Sequence, residues 1–154
     1  MTITNGRPSD HASVTPHLIV DNAAEAIDFY RRAFGAEEIG RLACPQTGKV
    51  MHADVRVGDS RLWLADADDR FGTRSPRQIG GTATSLHLFV PDVDKAIENA
   101  VAEGATLLMP ASDQFWGARF GQVEDPYGHR WSLATQTAEP TIEQMQASMA
   151  QMGA

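Results

Sequence analysis

The sequence predicts an α+β fold, two tandem β-α-β-β-β modules forming a curled mixed sheet. Three observations predict it: the chain repeats itself, each copy runs through strand and helix periods in the same order, and cap and turn residues stand at the joints. Residues 15–39, TPHLIVDNAAEAIDFYRRAFGAEEI, are echoed by residues 85–109, SLHLFVPDVDKAIENAVAEGATLLM. His17 and His87, Leu18 and Leu88, Val20 and Val90, Ala26 and Ala96, and Ile27 and Ile97 all stand 70 apart. Gly35-Ala36 and Gly104-Ala105 stand 69 apart, so one residue is lost near the helix end. Gly58 and Gly128, then Leu64-Ala65 and Leu133-Ala134, carry the echo onward at 70 and 69. Ordered repetition of this kind marks a duplicated supersecondary unit.

Each copy opens with a short apolar strand, 16–20 and 85–90. A helix follows. Its apolar positions fall at helical spacing, with Ala23, Ala26, Ile27, Tyr30 and Phe34 in the first and Val93, Ala96, Ile97, Ala100 and Val101 in the second. Asn22 and Asp92 stand where N-caps belong, and Gly35 and Gly104 where helices stop. Short strands come next: 37–43, 50–57 and 60–66 in the first copy, 106–109, 118–124 and 130–134 in the second. Gly58-Asp59 and Asp125-Pro126-Tyr127-Gly128 supply the hairpin turns. The chain thus divides into a lead over 1–14 expected to be disordered, modules over 15–66 and 85–135, a linker over 67–84 and a tail over 136–154. Within the tail Ile142, Met145, Met149 and Met152 share one helical face, which predicts a short amphipathic helix docked on a partner surface.

A length of 154 residues suits one domain, or two half-size modules sharing a core, and 42% hydrophobic content is enough to fill it. No apolar run approaches the ~20 residues that span a bilayer. The polar start MTITNGRPSDHASVT lacks the apolar stretch of a secretory signal. A lone Cys44 cannot form an internal disulfide, which agrees with a cytoplasmic location. The net charge is −7 and the 13 Lys and Arg residues are scattered, so no nucleic-acid surface is expected. There is no G-x-S-x-G elbow, no phosphate-cradling glycine loop and no Cys–His arrangement around Cys44.

The segments AIDFYRRAFGAEE, MHADVRVGDSRLWLAD and FWGARFGQVEDPYGHRWSLAT resemble the vicinal oxygen chelate superfamily, and within it the PhnB-like branch of glyoxalase/bleomycin-resistance proteins. The resemblance covers about residues 15–135. It implies strands curled into a half-barrel, usually in a homodimer, whose concave face holds a small molecule and often a divalent metal. Its members include glyoxalases, extradiol dioxygenases, epimerases, fosfomycin-modifying enzymes and metal-free drug-sequestering proteins. Membership fixes fold better than chemistry.

Strand alternation assigns the faces. Met51, Ala53, Val55 and Val57 must meet the helix, which leaves His52, Asp54 and Arg56 on the ligand side. The same parity offers Thr15, His17 and Ile19, then Arg61, Trp63 and Ala65, from the first module. The second offers Ser85, His87 and Phe89, with Phe120, Gln122 and Glu124, and with Arg130 and Ser132. The expected ligand-binding set is His17, His52, Asp54, Trp63, His87, Phe89, Trp116, Arg119 and Gln122. Trp63, Phe89 and Trp116 would stack on the ligand, and Phe115-Trp116-Gly117 would form the rim.

Metal-dependent relatives carry their ligands at positions that the resemblance maps to Thr15, Trp63, Ser85 and Ser132, none of them His, Glu or Asp. The expectation is therefore no metal cofactor, with a non-standard site through His17, His52 and His87 as the one divalent-metal route. His11 and His129 receive no role. The leading expectation is a metal-free ligand- or drug-sequestering protein, a homodimer that binds a small molecule and neither nucleic acid nor membrane. The alternative is a lyase, isomerase or transferase with His52 as general base beside Asp54. A third reading is a regulatory subunit that makes contact through the tail.

Overall fold

The computed structural model describes residues 2–153, and the chain divides into two units, Met1–Thr82 and Ala83–Ala154. In the first unit the strands β1 (Ile3–Thr4) and β2 (Arg7–Pro8) form a short hairpin. Next come β3 (His17–Val20), α1 (Ala23–Phe34), β4 (Glu37–Ala43), β5 (Val50–Val57) and β6 (Ser60–Asp66). A 3-10 turn at Asp69–Phe71 and the short α2 (Pro76–Ile79) close the unit. The second unit holds β7 (Ser85–Phe89), α3 (Val93–Ala102), β8 (Thr106–Asp113), β9 (Ala118–Glu124), β10 (Arg130–Gln136) and α4 (Ile142–Gln151).

Each unit has one four-stranded mixed sheet of the same topology. The orders are β3-β6-β5-β4 and β7-β10-β9-β8. In both, the first strand runs parallel to the last, and the remaining neighbours are antiparallel hairpin partners. Identical strand order in two copies is what duplication of one β-α-β-β-β unit produces, and the α+β fold class read from the repeat stands.

The helices form where the caps and apolar spacing place them. The Asn22 side chain accepts the Glu25 amide at 3.1 Å, and Gly35, at φ 67°, ends α1 in the left-handed region that glycine adopts freely. The buried face of α1 is Ala23, Ala26, Ile27, Phe29, Tyr30 and Ala33, packed over Leu18, Val20, Ala53, Val55 and Leu64. Asp92 caps α3 by accepting the Lys95 amide, and Val93, Ile97 and Ala100 are its buried residues. Gly121 lets β9 pass directly beneath α3: a Cβ there would lie 2.4 Å from Ile97 Cδ1.

Four expectations need correction. The described part of the lead has structure of its own, with a hairpin of two two-residue strands and a buried His11. The segment 67–84 is not a bare linker, because Asp68 caps the 3-10 turn, α2 carries a Ser75–Gln78 capping box, and the unit boundary lies at 82/83. Strand β8 continues past 109 to Asp113, since Pro110 is tolerated on an edge strand that is bulged around it. The tail helix forms, but none of its residues is buried, and Ile142, Met149 and Met152 are exposed. No described helix is long and apolar enough to cross a membrane.

Candidate ligand site on the sheet faces

In the first unit, strand pairing assembles the site. Trp63 on β6 lies opposite His17 on β3 and Asp54 on β5, all on the face turned away from α1. The His52 ring meets the Trp63 ring edge-on at 4.9 Å, and His17 does the same at 5.9 Å. His17 and His52 are themselves 6.3 Å apart, centroid to centroid. Partial burial, together with the neighbouring His52, pushes the His17 imidazole below the ordinary histidine value.

Asp54 is paired with Arg61, which shares its face, and residues of the lead join them. Arg61 Nη2 lies 3.3 Å from Asp54 Oδ2 and 2.8 Å from Asp10 Oδ2. His11 Nε2 lies 3.6 Å from Asp54 Oδ2, beyond hydrogen-bond reach, while His11 Nδ1 is 3.0 Å from Asp10 Oδ1. The His11 ring meets Trp63 edge-on at 5.8 Å. Three buried polar atoms at this spot have no hydrogen-bond partner: His11 Nε2, Asp54 Oδ1 and Trp63 Nε1. Native interiors hold few such atoms, and a local group of them marks a place where a partner belongs.

The second unit presents a row of rings. His87 stacks on Phe120 at 6.0 Å with an interplanar angle of 18°, and Phe89 meets His87 edge-on at 4.7 Å. Trp116 meets Phe120 at 5.5 Å and Phe115 at 5.2 Å. Phe89 is 65% exposed. Gln122 shares the face of Phe120, opposite Ser132. Burial pushes the His87 imidazole down as well. The loop carrying Trp116 is pinned from behind: Gly117 accepts from Thr137 and Ala138, and a Cβ on it would strike the Ala138 carbonyl at 2.4 Å.

Two site expectations fail on geometry. Arg119 lies on the other face of β9, the side that meets α3, and its guanidinium is engaged by Asp94 at 2.7 and 3.0 Å and by Asp113 at 3.4 Å. Strand parity already separates Arg119 from Phe120 and Gln122, so the signal was in the sequence. The pairing of His52 with Asp54 also fails: Asp54 is held by Arg61 and approached by His11, while His52 packs on Trp63 and His17. The residues missed are Asp10 and His11. Nothing in a polar lead announces that it will fold back onto a strand about fifty positions later.

The Asp125-Pro126-Tyr127-Gly128-His129-Arg130-Trp131 turn is structural. Asp125 accepts from the Tyr127 and His129 amides at 2.9 Å each and from the Trp131 indole at 3.0 Å, all buried.

Residues 9–133 match the family model for the glyoxalase/bleomycin resistance protein/dioxygenase superfamily. An uncharacterised protein of Mycobacterium bovis is 42% identical over 144 residues, which span 92% of this chain and 94% of that protein. The chain belongs to the glyoxalase/bleomycin resistance protein/dioxygenase superfamily. Among solved structures, TioX from Micromonospora sp. ML1 is 26% identical with a TM-score of 0.64, over 81% of this chain and 98% of that one. A PhnB protein from Bacillus cereus shares the fold at 22% identity and TM-score 0.62, over 80% of this chain and 99% of that one.

Many proteins of this superfamily use a divalent metal, and the residues here do not fit one. Thr15 and Ser132 offer neutral hydroxyls, Ser85 another, and Trp63 an indole with no lone pair to donate. Among the described residues, no three His, Cys, Asp or Glu side chains come together as ligands for an ion.

Proposed function

We propose that this chain binds a small planar molecule without a resident metal and sequesters it rather than transforming it. The observation that carries this reading is the placing of rings on the helix-free faces of both sheets. His17, His52 and Trp63 pack on one another in the first unit, and His87, Phe89, Phe120 and Trp116 in the second. Rings with a few polar groups among them suit small-molecule recognition. An exposed Phe89 in line with them is surface waiting for a flat partner. The lowered proton affinities of His17 and His87 favour neutral imidazoles, which offer faces and single hydrogen bonds instead of charge.

The general-base reading has less support, because the carboxylate meant to raise the basicity of His52 is committed to Arg61. The chain acts as a homodimer in this proposal, the state that its resemblance to the family implies. It avoids nucleic acid, since 20 acidic against 13 basic side chains repel phosphate.

Thermal-shift and calorimetric titration against a panel of planar aromatic compounds tests the reading. A true ligand stabilises the wild-type chain and is recovered chemically unchanged. Trp63→Ala weakens binding on the first unit's face by about tenfold, and Phe89→Ala does so on the second's, the worth of one aromatic contact, whereas His52→Ala weakens it less. Steady turnover of any bound compound, abolished by His52→Ala, would replace sequestration with catalysis.

A further inference from the structure

We infer that the N-terminal segment 2–11 is a removable cover over the first unit's site, and that His11 sits where an imidazole-type ligand ring is received. The inference rests on the binding reading above and gives that site a ligand class. The segment is tied to β6 by a polar contact, Arg61 gripping Asp10 at 2.8 Å. Its other bonds shape the segment itself: Arg7 Nη1 donates to the His11 carbonyl at 2.8 Å, and the Ser9 amide donates to the Thr2 carbonyl at 2.9 Å. Its one large apolar side chain, Ile3, is 68% exposed and anchors nothing. Yet the His11 side chain is only 6% exposed, an unusual depth for a terminal polar segment.

Two of the three buried polar atoms without partners, Asp54 Oδ1 and Trp63 Nε1, lie beneath the cover, and the third is its own His11 Nε2. Closing over Asp54 Oδ1 and Trp63 Nε1 takes water from both and returns no hydrogen bond, so the closed state is held less well than its burial suggests. Displacing the cover costs little and frees both groups. Their chemistry then selects the occupant. The indole N–H only donates, so it requires an acceptor, and the carboxylate oxygen requires a donor. A neutral imidazole carries one N–H donor and one bare ring nitrogen on a single small plane, and so meets both demands. His11 presents that same ring at that place, edge-on to Trp63 with Nε2 toward Asp54, but it leaves both atoms unsatisfied. A free ring can settle where a tethered one cannot.

The test uses the full chain and 4-methylimidazole as probe. Binding is followed by the Trp63 indole N–H resonance, assigned by its loss in Trp63→Phe, and cover opening by amide hydrogen exchange over residues 2–11. In the wild type the probe should shift the indole signal and speed exchange across the segment together. Asp54→Asn should weaken probe binding by about tenfold or more, and Asp10→Asn, which loosens the cover from an exposed position, should tighten it by about tenfold, each the worth of a charge-assisted hydrogen bond. Exchange over 2–11 that stays unchanged while the indole signal saturates overturns the cover. Equal affinity in wild type and Asp54→Asn overturns the seat. If the probe leaves Trp63 unmoved even in Asp10→Asn, the imidazole class is wrong. Aromatic compounds lost on Trp63→Ala or Phe89→Ala would still uphold sequestration in that event, so the two readings fail separately.

Discussion

The Trp63 indole is an aromatic floor against which His17 and His52 stand edge-on. The histidines on either sheet also carry a stability signature. His17 and His87 have lowered folded-state proton affinity, so the unfolded chain binds more protons than the folded one in weakly acidic solution. Their contribution is full above the ordinary histidine value of about 6.5 and is lost as pH falls through it toward the lowered folded value. Urea unfolding between about pH 7.5 and 5.5 should show falling stability, with a shallower slope in His17→Gln or His87→Gln than in wild type. Cys44 gives a second residue-scale prediction. Hydrogen bonds from Thr47 and Gln46 on the same turn lower its thiol to about 7. Alkylation by iodoacetamide should therefore reach half its maximal rate near that pH, and Thr47→Val should move the midpoint upward.

At the scale of elements, two features decide whether the sheets hold their register. Gly121 is the crossing point of β9 and α3, with the Ile97 side chain and the Met109 carbonyl in the space that a Cβ would take. Gly121→Ala forces that packing apart and should cost about 1–3 kcal/mol by chemical denaturation. Asp125 ties the β9–β10 hairpin through three buried hydrogen bonds. Asp125→Ala removes the acceptor of all three bonds and should cost at least about 1–3 kcal/mol by chemical denaturation. The DPYGHRW motif made the family legible, yet its acid works for the hairpin and leaves ligand chemistry to the strands. The α1 helix was legible to the residue because cap, apolar stripe and stop glycine all act within a turn or two of each other.

At the scale of the whole molecule, the tail helix α4 places Ile142, Met149 and Met152 in solvent on a helix capped by its own Thr141–Gln144 box. A homodimer is the expected state. Sedimentation velocity should give twice the chain mass for the full protein, and removal of 140–154 should lower it if the tail supplies the contact.

Amino-acid order alone settles the two modules, the succession of strands and helix in each and the side of each sheet that turns from its helix, whereas the order of strands within a sheet comes from the fold. Period, caps and duplication are local signals that survive in a string. Arg119 belonged to that legible part, because parity places it under α3 beside Asp94. Folding alone decides that Asp10 and His11 return to Arg61, Asp54 and Trp63. Asp10 and Arg61 stand 51 positions apart, and the charges that join them have no period to read. Desolvation decides the rest: which polar atoms lose water without gaining a partner depends on what closes over them in space, and that is a property of the packed chain.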